Sequence, residues 1–435
     1  MKTVINLFDR LLRKITPDPF VIAIVLTMAV IVMAWVWTDH GPAEVIEIWG
    51  SGFWNLATFT LQMAMILLGG YVVATSPPVK KLLAWCVGFV NTPVQAVIFC
   101  TLAAMLGSWI NWGFGLVIGG VVALEVGKKV PRAPFRLLVA SSYSGFLVWH
   151  AGLSGSIPLS VNTEGAGNLA FSSLGRLVPL SETIFSSLNL IALGSMVVLL
   201  PLLNIFQLSA IGEENEAELQ EKVESQIQKP TVPFAERIML ISGLLVLLGG
   251  AYLWLKVSSG TFKLDLNSIN FIFFMLGLAF HGSPRAFMDS VSEAITKVAP
   301  ILIQYPLYAA IMMVLKETGL AAMMAEWFVN HSSERTFPLM TFYSAGLINF
   351  FVPSGGGQWA VQAPIVLPAA EALGADIPKT IMAVSWGDAW TNMAQPFWAV
   401  PLLTIAGLEI KDIIGLCLTT LIASGVVLSL IFLLL

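Results

Sequence analysis

Runs of about 20 apolar residues recur from one end of the chain to the other, and no other feature restricts the possible folds so severely. Phe20 to Trp37, Ile238 to Leu255 and Ile413 to Leu435 are three of them. As a helix, each is long enough to cross roughly 30 Å of hydrocarbon. β-barrel spans would be half that length and would alternate apolar with polar residues, so helices are expected. Composition agrees. Of 435 residues 57% are hydrophobic and 11% charged, with a mean hydropathy of +0.83, which is more apolar surface than one aqueous core could hide. The bilayer has to be the solvent, and an all-α polytopic membrane protein is the expected class.

The net charge of -4 comes mainly from one acidic stretch, and no basic run suggests nucleic acid. Cys86, Cys100 and Cys417 lie in or beside apolar segments without pairing or metal-ligand spacing, so they read as small core residues. Lys2, Arg10, Arg13 and Lys14 precede the first apolar run, as in a secretory signal. That run is too long for one, however, and ends in Trp35, Val36, Trp37 with no small-residue cleavage site, so it reads as a retained span. Ahead of it, Val4, Leu7, Phe8, Leu11, Leu12 and Ile15 recur at helical spacing opposite the cations, which suits an amphipathic helix on the cytoplasmic surface.

The polar stretch around Ser209 to Pro233, with Glu213, Glu214, Glu216, Glu218, Glu221 and Glu224, divides the chain near its middle. Its flanks resemble each other. Gln62 and Gln304 each open a Met-containing span, 242 residues apart. The motif Ile110-Asn111-Trp112-Gly113 faces Ile348-Asn349-Phe350 at an offset of 238, Ala140 to Gly145 faces Met382 to Gly387 at 242, and Ser154 to Pro158 faces Asn392 to Pro396 at 238. Ordered matches at a nearly constant offset indicate a duplicated unit. The expected organisation is an N-terminal membrane repeat over 1–208, an acidic cytoplasmic linker over 209–234, a connecting span over 235–257 and a C-terminal repeat over 258–435.

With the N-terminus inside, 16 of the 22 Lys and Arg residues fall on the inner face and six on the outer, as the positive-inside rule requires. Lys80, Lys81 and the Lys128 to Arg136 cluster then share one face, so the intervening segment enters and leaves by the same side. It reads as a re-entrant hairpin over 92–127; two short full spans are the alternative. The equivalent hairpin over 337–372 would enter from outside, because the connecting span turns the second half over. Inverted repeats, about nine full spans, two hairpins and an outside C-terminus follow.

Each repeat thus carries two interruptions at membrane depth. These are the hairpin tips, Asn111 to Gly115 and Asn349 to Gly357, and the breaks in the next spans (137–158 and 379–400), around His150 to Pro158 and Asp388 to Pro396. Lipid cannot satisfy bare N–H and C=O groups, so such backbone persists only where protein, water or a ligand does. Half-helix N-termini suit an anion, and freed carbonyls suit a cation. Ser108, Asn111, Ser154, Ser156, Asn349, Ser354, Thr391, Asn392 and Gln395 are neutral donors that suit a hard cation such as Na⁺. The alternative is that small residues there merely allow close helix packing.

Asp388 is the ionisable group deepest in a span, where a carboxylate costs roughly 2.5 to 3.5 kcal/mol on insertion scales, and it is read as coupling-ion ligand or proton carrier. His150 stands at the matching place in the first half, with a coupling role or a simple interhelical hydrogen bond equally open. Glu125 and Glu371 read as interfacial. Gln62 and Gln304 either support the tips or act as packing glue. No Lys or Arg is central in a span, so an anion would be held by helix ends, hydroxyls and a bound cation. Trp109, Trp112, Trp149, Trp359, Trp386, Trp390 and Trp398 lie near the breaks and either wall a pocket or pack.

Ile-Asn-Trp-Gly-Phe-Gly at 110–115, Val-Pro-Ser-Gly-Gly-Gly-Gln-Trp at 352–359 and Asn-Met-Ala-Gln-Pro-Phe-Trp-Ala at 392–399, with Pro-Asp-Pro at 17–19 and Gly-Phe-Trp-Asn-Leu at 52–56, resemble the bacterial short-chain fatty acid transporter family over nearly the whole chain. The resemblance implies the larger ion-transporter superfamily. Its folds are inverted repeats with paired hairpins, often homodimeric, in the bacterial inner membrane, moving carboxylates with Na⁺ or H⁺ and no cofactor. Its Ser-Asn-Thr tip signature is replaced here by Ile-Asn-Trp and Ile-Asn-Phe, so ligand roles carry over only as positions.

The combined expectation is import of a small monocarboxylate such as acetoacetate or butyrate by cation symport. Substrate would be held by Asn111, Gly113, Ser154, Ser156, Asn349, Ser354, Gly355, Gly356, Thr391 and Asn392, and the ion by Ser108, Asn111, Gly155, Asn349, Asp388 and Gln395. Transport of a dicarboxylate or an aminobenzoyl-glutamate type of solute, and a passive channel, are the alternatives. Gly152-Leu153-Ser154-Gly155 also spells the Gly-x-Ser-Gly of an intramembrane serine protease, which would need a histidine base beside Ser154.

Overall fold

The computed structural model describes residues 19–165, 168–211, 239–350, 352–394 and 398–435. The leader helix, Pro17, Asp18, most of the acidic linker, Phe351, Gln395 and Pro396 lie outside the described residues, so the readings placed on them have no counterpart below.

The described chain is helical from end to end. Its first half comprises α1 (Pro19–Trp37), α2 (Pro42–Gly52), α3 (Ala57–Ala74), α4 (Pro77–Val87), α5 (Pro93–Ile110), α6 (Trp112–Lys129), α7 (Phe135–Gly145), a 3-10 turn (Phe146–Ala151), α8 (Ser156–Asn162), α9 (Leu169–Leu174) and α10 (Ser187–Ile211). After the linker come α11 (Met239–Ser258), α12 (Leu266–His281), α13 (Pro284–Glu317), α14 (Leu320–His331), α15 (Phe337–Asn349), α16 (Gly355–Leu373), α17 (Ile377–Thr391), α18 (Ala399–Ala406) and α19 (Ile410–Leu434).

Local chemistry explains many of these boundaries. Thr92 accepts from the Gln95 amide and places Pro93 in the first turn of α5, where the missing N–H costs nothing. Asp265, Ser283 and Asp376 cap α12, α13 and α17 in the same way.

Among the described residues, six helices are long and apolar enough to cross a membrane: those within 57–74, 93–110, 187–211, 241–258, 284–317 and 410–434. The expected nine full spans are therefore not returned by length alone. Breaks and short helices divide other apolar sequence, as in the 16-residue α12 (Leu266–His281). α11 shows why lipid has to surround the bundle: Leu244, Leu247, Leu248, Trp254 and Leu255 are all exposed on it.

α5 and α6 pack face to face as a hairpin that turns on Asn111. Each arm has 18 residues, about 27 Å, so the tip lies nearly a hydrocarbon thickness from the hairpin's base. Gly107 and Gly115 make the crossing possible, since a Cβ on Gly115 would lie 2.2 Å from the Ser108 hydroxyl. α15 and α16 form the second helix-break-helix unit, but α15 packs mainly on α17. α3 and α13 lie against the inner arms α6 and α16 respectively. The buried side chains of both halves form one continuous core.

Candidate functional site

The first tip is closed by its own side chains. Asn111 has extended backbone (φ -155°), its side-chain oxygen accepts from the Phe114 amide at 2.9 Å, and its amide donates to the Ile66 carbonyl at 3.3 Å. The broken span behind it completes the closure. The Ser154 hydroxyl accepts from the Trp112 amide at 2.8 Å, and the Leu153 amide donates to the Trp109 carbonyl at 2.7 Å. Asn111 and Ser154 therefore spend their polar groups on orphan backbone, as a helix break in lipid demands. Gly113 lies against Leu67, and a Cβ on it would approach the Leu67 backbone to 3.0 Å. Ser108 keeps a buried hydroxyl with no partner among the described residues.

The break in the first half starts earlier than expected. α7 ends at Gly145 and tightens into the 3-10 turn that carries His150, so Pro158 falls in the first turn of α8, where proline is tolerated. Gly155 precedes α8 and Ser156 opens it. In the second half, Asp388 and Thr391 lie within the last turn of α17, ahead of the break.

His150 and Asp388 meet at the centre. Nδ1 of His150 donates to the Ser385 carbonyl at 2.9 Å, and Asp388 Oδ2 lies 3.1 Å from the same nitrogen. The N–H is directed at Ser385, so the carboxylate contact is an ion-pair distance rather than a hydrogen bond; both Asp388 oxygens remain unpartnered among the described residues. Both side chains are buried, with 0% and 1% exposure. The ring of His150 stacks on Trp149 (3.5 Å between centroids), which in turn packs on Phe146 and Trp112.

The glycine run at the second tip is shaped by its neighbours. A Cβ on Gly355 would lie 2.4 Å from His150 Nε2, one on Gly356 2.7 Å from the Phe59 ring, and one on Gly357 2.4 Å from the Tyr308 ring. Three aromatic rings thus close directly on the backbone that starts α16. The Ser354 hydroxyl donates to Tyr305 at 2.7 Å instead of capping its own helix.

Around Asp388, two amides are oriented by their donors. Asn349 donates to the Asp388 carbonyl and to the Thr391 hydroxyl, each at 2.9 Å, and Asn392 donates to the Asp388 carbonyl at 2.8 Å. Their side-chain oxygens stay buried and unpartnered. The second half therefore offers oxygen acceptors without donors, an arrangement suited to a cation or a proton.

Of the residues singled out in the sequence, the structure brings together His150, Asp388, Asn349, Thr391, Asn392, Ser354, Gly355 and Gly356, while Asn111, Gly113 and Ser154 form the first tip. Gln395 is outside the described residues. Gln62 supports no tip; half-buried, it donates to Asn267 on α12 at 2.8 Å. Gln304 is buried and accepts from Tyr308 at a long 3.5 Å. Glu125 pairs with Lys128 on an exposed face. No histidine is hydrogen-bonded to Ser154, whose hydroxyl is taken by Trp112, so the protease constellation is not assembled.

Three contributors were missed. Tyr305 reaches Ser354, Tyr143 donates to the Asn392 carbonyl at 2.8 Å, and Asn189 joins Trp386 to the Ala151 carbonyl. The available signal was a polar group in an apolar helix, clearest for Asn189 on α10.

Six membrane-length helices in one bundle with a carboxylate buried at its centre are the architecture of a multi-pass membrane transporter. The family model described as short chain fatty acid transporter matches residues 1–435, and the chain belongs to that family. A protein of Escherichia coli (strain K12) named for short-chain fatty acid transport is 40% identical over 425 residues, 96% of each chain. One of the same designation from Haemophilus influenzae (strain ATCC 51907 / DSM 11121 / KW20 / Rd) is 38% identical over 426 residues, 94% of each. These relatives are named as transporters, not enzymes. Among solved structures, the Alcanivorax borkumensis YdaH transporter aligns with a TM-score of 0.60 at 16% identity, covering 95% of this chain and 98% of that one. Neisseria gonorrhoeae MtrF, described with a class of antimetabolite efflux pumps, aligns at 0.53 and 13%, covering 99% and 97%. At these identities the likeness is one of fold.

Proposed function

We propose that the chain imports short monocarboxylates, of the acetate, butyrate and acetoacetate kind, across the bacterial inner membrane by cation symport. The observation that carries the reading is the buried Asp388 carboxylate, with both oxygens open, set against His150 where the breaks of the two halves meet. A second carboxylate cannot be brought into that low-dielectric setting unless a cation enters with it. Family membership supports the monocarboxylate, and the aromatic walls around the glycine run suit a short apolar tail.

In this reading the substrate carboxylate lies at the start of α16, against Ser354, Gly355 and Gly356, and the coupling cation neutralises the Asp388 region with Asn349 and Asn392 alongside. Asn111, Gly113 and Ser154 hold the opposing tip rigid. The two halves act as inverted repeats whose hairpins move as units, in a homodimer with the N-terminus cytoplasmic and the C-terminus outside. Counterflow into proteoliposomes with acetate, butyrate and acetoacetate, each with and without Na⁺ and corrected for protein-free vesicles, tests it. Saturable exchange of all three is expected, and exchange no faster than in empty vesicles overturns the proposal.

A further inference from the structure

The Ser385 carbonyl decides what the opposite edge of the His150 ring can do. A carbonyl oxygen only accepts, so the 2.9 Å contact places a proton on Nδ1. In the neutral ring Nε2 is then a bare lone pair. That nitrogen is buried, has no partner among the described residues, and faces Gly355, where a Cβ would lie 2.4 Å away. Gly355 opens the 19-residue helix α16, whose first-turn amides favour an anion. The Ser354 and Tyr305 hydroxyls adjoin the same helix end.

Gly355 closes on the ring here, so a carboxylate enters only as α16 and the ring part, and it would then meet Nε2 lone pair against lone pair. The contact becomes a hydrogen bond only when one proton arrives with it. Building on the monocarboxylate reading above, we infer that His150 Nε2 is where the substrate carboxylate and the coupling proton bind together, one proton for each carboxylate.

On loading, an Nε2–H bond forms with a proton taken from the water on the side of entry, and the N–H donates to the carboxylate. On release that proton leaves with the substrate on the far side. One anion and one proton add no net charge, so the loaded and empty sites carry the same charge. Asp388 Oδ2, 3.1 Å from Nδ1, stabilises the imidazolium and keeps the ring oriented. The other titratable groups that the packed elements turn toward this region are buried phenols: Tyr143 on α7, which meets the Asn392 carbonyl, and Tyr305 and Tyr308 on α13, beside Gly356 and Gly357.

The test is calorimetric. Butyrate is titrated into the purified full-length protein at pH 8, above the ordinary histidine range, in Na⁺-free buffers of different ionisation enthalpy. The dependence of heat on buffer gives the protons taken up per carboxylate bound, and about one is expected for the wild type. His150→Gln, whose amide donates without titrating, is expected to bind with none. His150→Ala is expected to bind about 10- to 150-fold more weakly, the loss of one charge-assisted hydrogen bond. Wild-type binding without proton uptake, or only when Na⁺ is added, overturns the inference and leaves the monocarboxylate reading standing. Failure of the wild type to bind any C2 to C6 monocarboxylate overturns both. The wild-type measurement decides even if a variant misfolds.

Discussion

His150 Nδ1 stands 3.1 Å from Asp388 Oδ2, although 237 residues separate the two in the chain and each lies beside the break of a different half. The pair joins the 3-10 turn of the first half to the last turn of α17 in the second, and the Ser385 carbonyl fixes which nitrogen of the ring carries the proton. Any movement of one half against the other must carry or break this contact.

Asp388→Asn separates function from stability. The carboxylate is buried with both oxygens unpartnered, a costly state for a charge, whereas an amide of the same shape is cheaper to bury. The variant is expected to unfold at the same or a higher temperature while butyrate counterflow falls at least tenfold. A thermal melt and an uptake assay on one preparation check both halves of the statement; a less stable but active variant would contradict it.

Gly355→Ala is expected to abolish counterflow. The added methyl would lie 2.4 Å from His150 Nε2 and 2.8 Å from the Trp149 ring, and overpacking of this kind typically costs about 1 to 3 kcal/mol. Gly243→Ala on α11 is the matched control, with nothing within 4 Å of its new Cβ, and is expected to retain activity with stability unchanged or raised by up to about 1 kcal/mol. Equal effects at both positions would show that the contact with His150 is irrelevant.

Much of this site was legible in the sequence because lipid penalises bare backbone so heavily. Asn111, Ser154 and the glycine run at 355–357 stand out in apolar sequence, and all lie at breaks. What each polar group does there was not legible. Asn111 and Ser154 look like ion ligands by type, yet orphan amides of their own tip take their oxygens, because a break must satisfy itself before it can bind anything. The His150–Asp388 contact is tertiary and has no local signature. Tyr305 and Tyr143 were passed over because an aromatic in a span usually packs, and only three-dimensional contact shows where each hydroxyl points. How many helices cross the membrane was not legible either, since apolar length does not reveal where a helix stops short.

Ser154→Ala leaves the Trp112 amide without its acceptor at a fully buried position. An unsatisfied buried donor costs about 1 to 3 kcal/mol, so the unfolding midpoint should drop and Ser154→Thr should restore it in part. The same variant should alter no proteolytic activity, because Ser154 has no base beside it. Denaturation of the three proteins in one detergent measures the first effect, and incubation with a model transmembrane helix measures the second.

Acid should loosen one specific loop junction. Glu164 and Lys263 form an exposed ion pair at 2.7 Å beside the Leu266 to Thr163 and Asn162 to Leu264 hydrogen bonds. The Lys263 hydrogen bond and charge hold the Glu164 carboxyl below its ordinary value, and Glu164 holds the Lys263 ammonium above its own. Because the carboxyl is depressed in the folded protein, its contribution is complete above the unfolded carboxylate range and lost as pH falls through the folded value. The lysine contribution is lost only as pH rises through its raised value, so the junction is constant across neutral pH. Protection of the Leu266 amide against hydrogen exchange, taken relative to the intrinsic rate at each pH, should fall on acidification, less so at high salt, and Glu164→Gln should remove the acid-side change.

Membrane potential separates electroneutral from electrogenic coupling. Moving a lone monoanion inward against 100 mV costs about 2.3 kcal/mol, which corresponds to roughly a 50-fold change in the gradient that can be sustained. One proton per carboxylate cancels that term; two cations per carboxylate would reverse its sign. In proteoliposomes clamped with a potassium gradient and valinomycin, acetoacetate accumulation is therefore expected to be the same at 0 and at -100 mV, inside negative. Accumulation that rises steeply at -100 mV would require a second cation, and the unpartnered oxygens of Asn349, Asn392 and Ser108 would be the groups to mutate next. Accumulation that falls would mean the carboxylate crosses without a compensating charge, and a one-to-one partnership at His150 would be excluded.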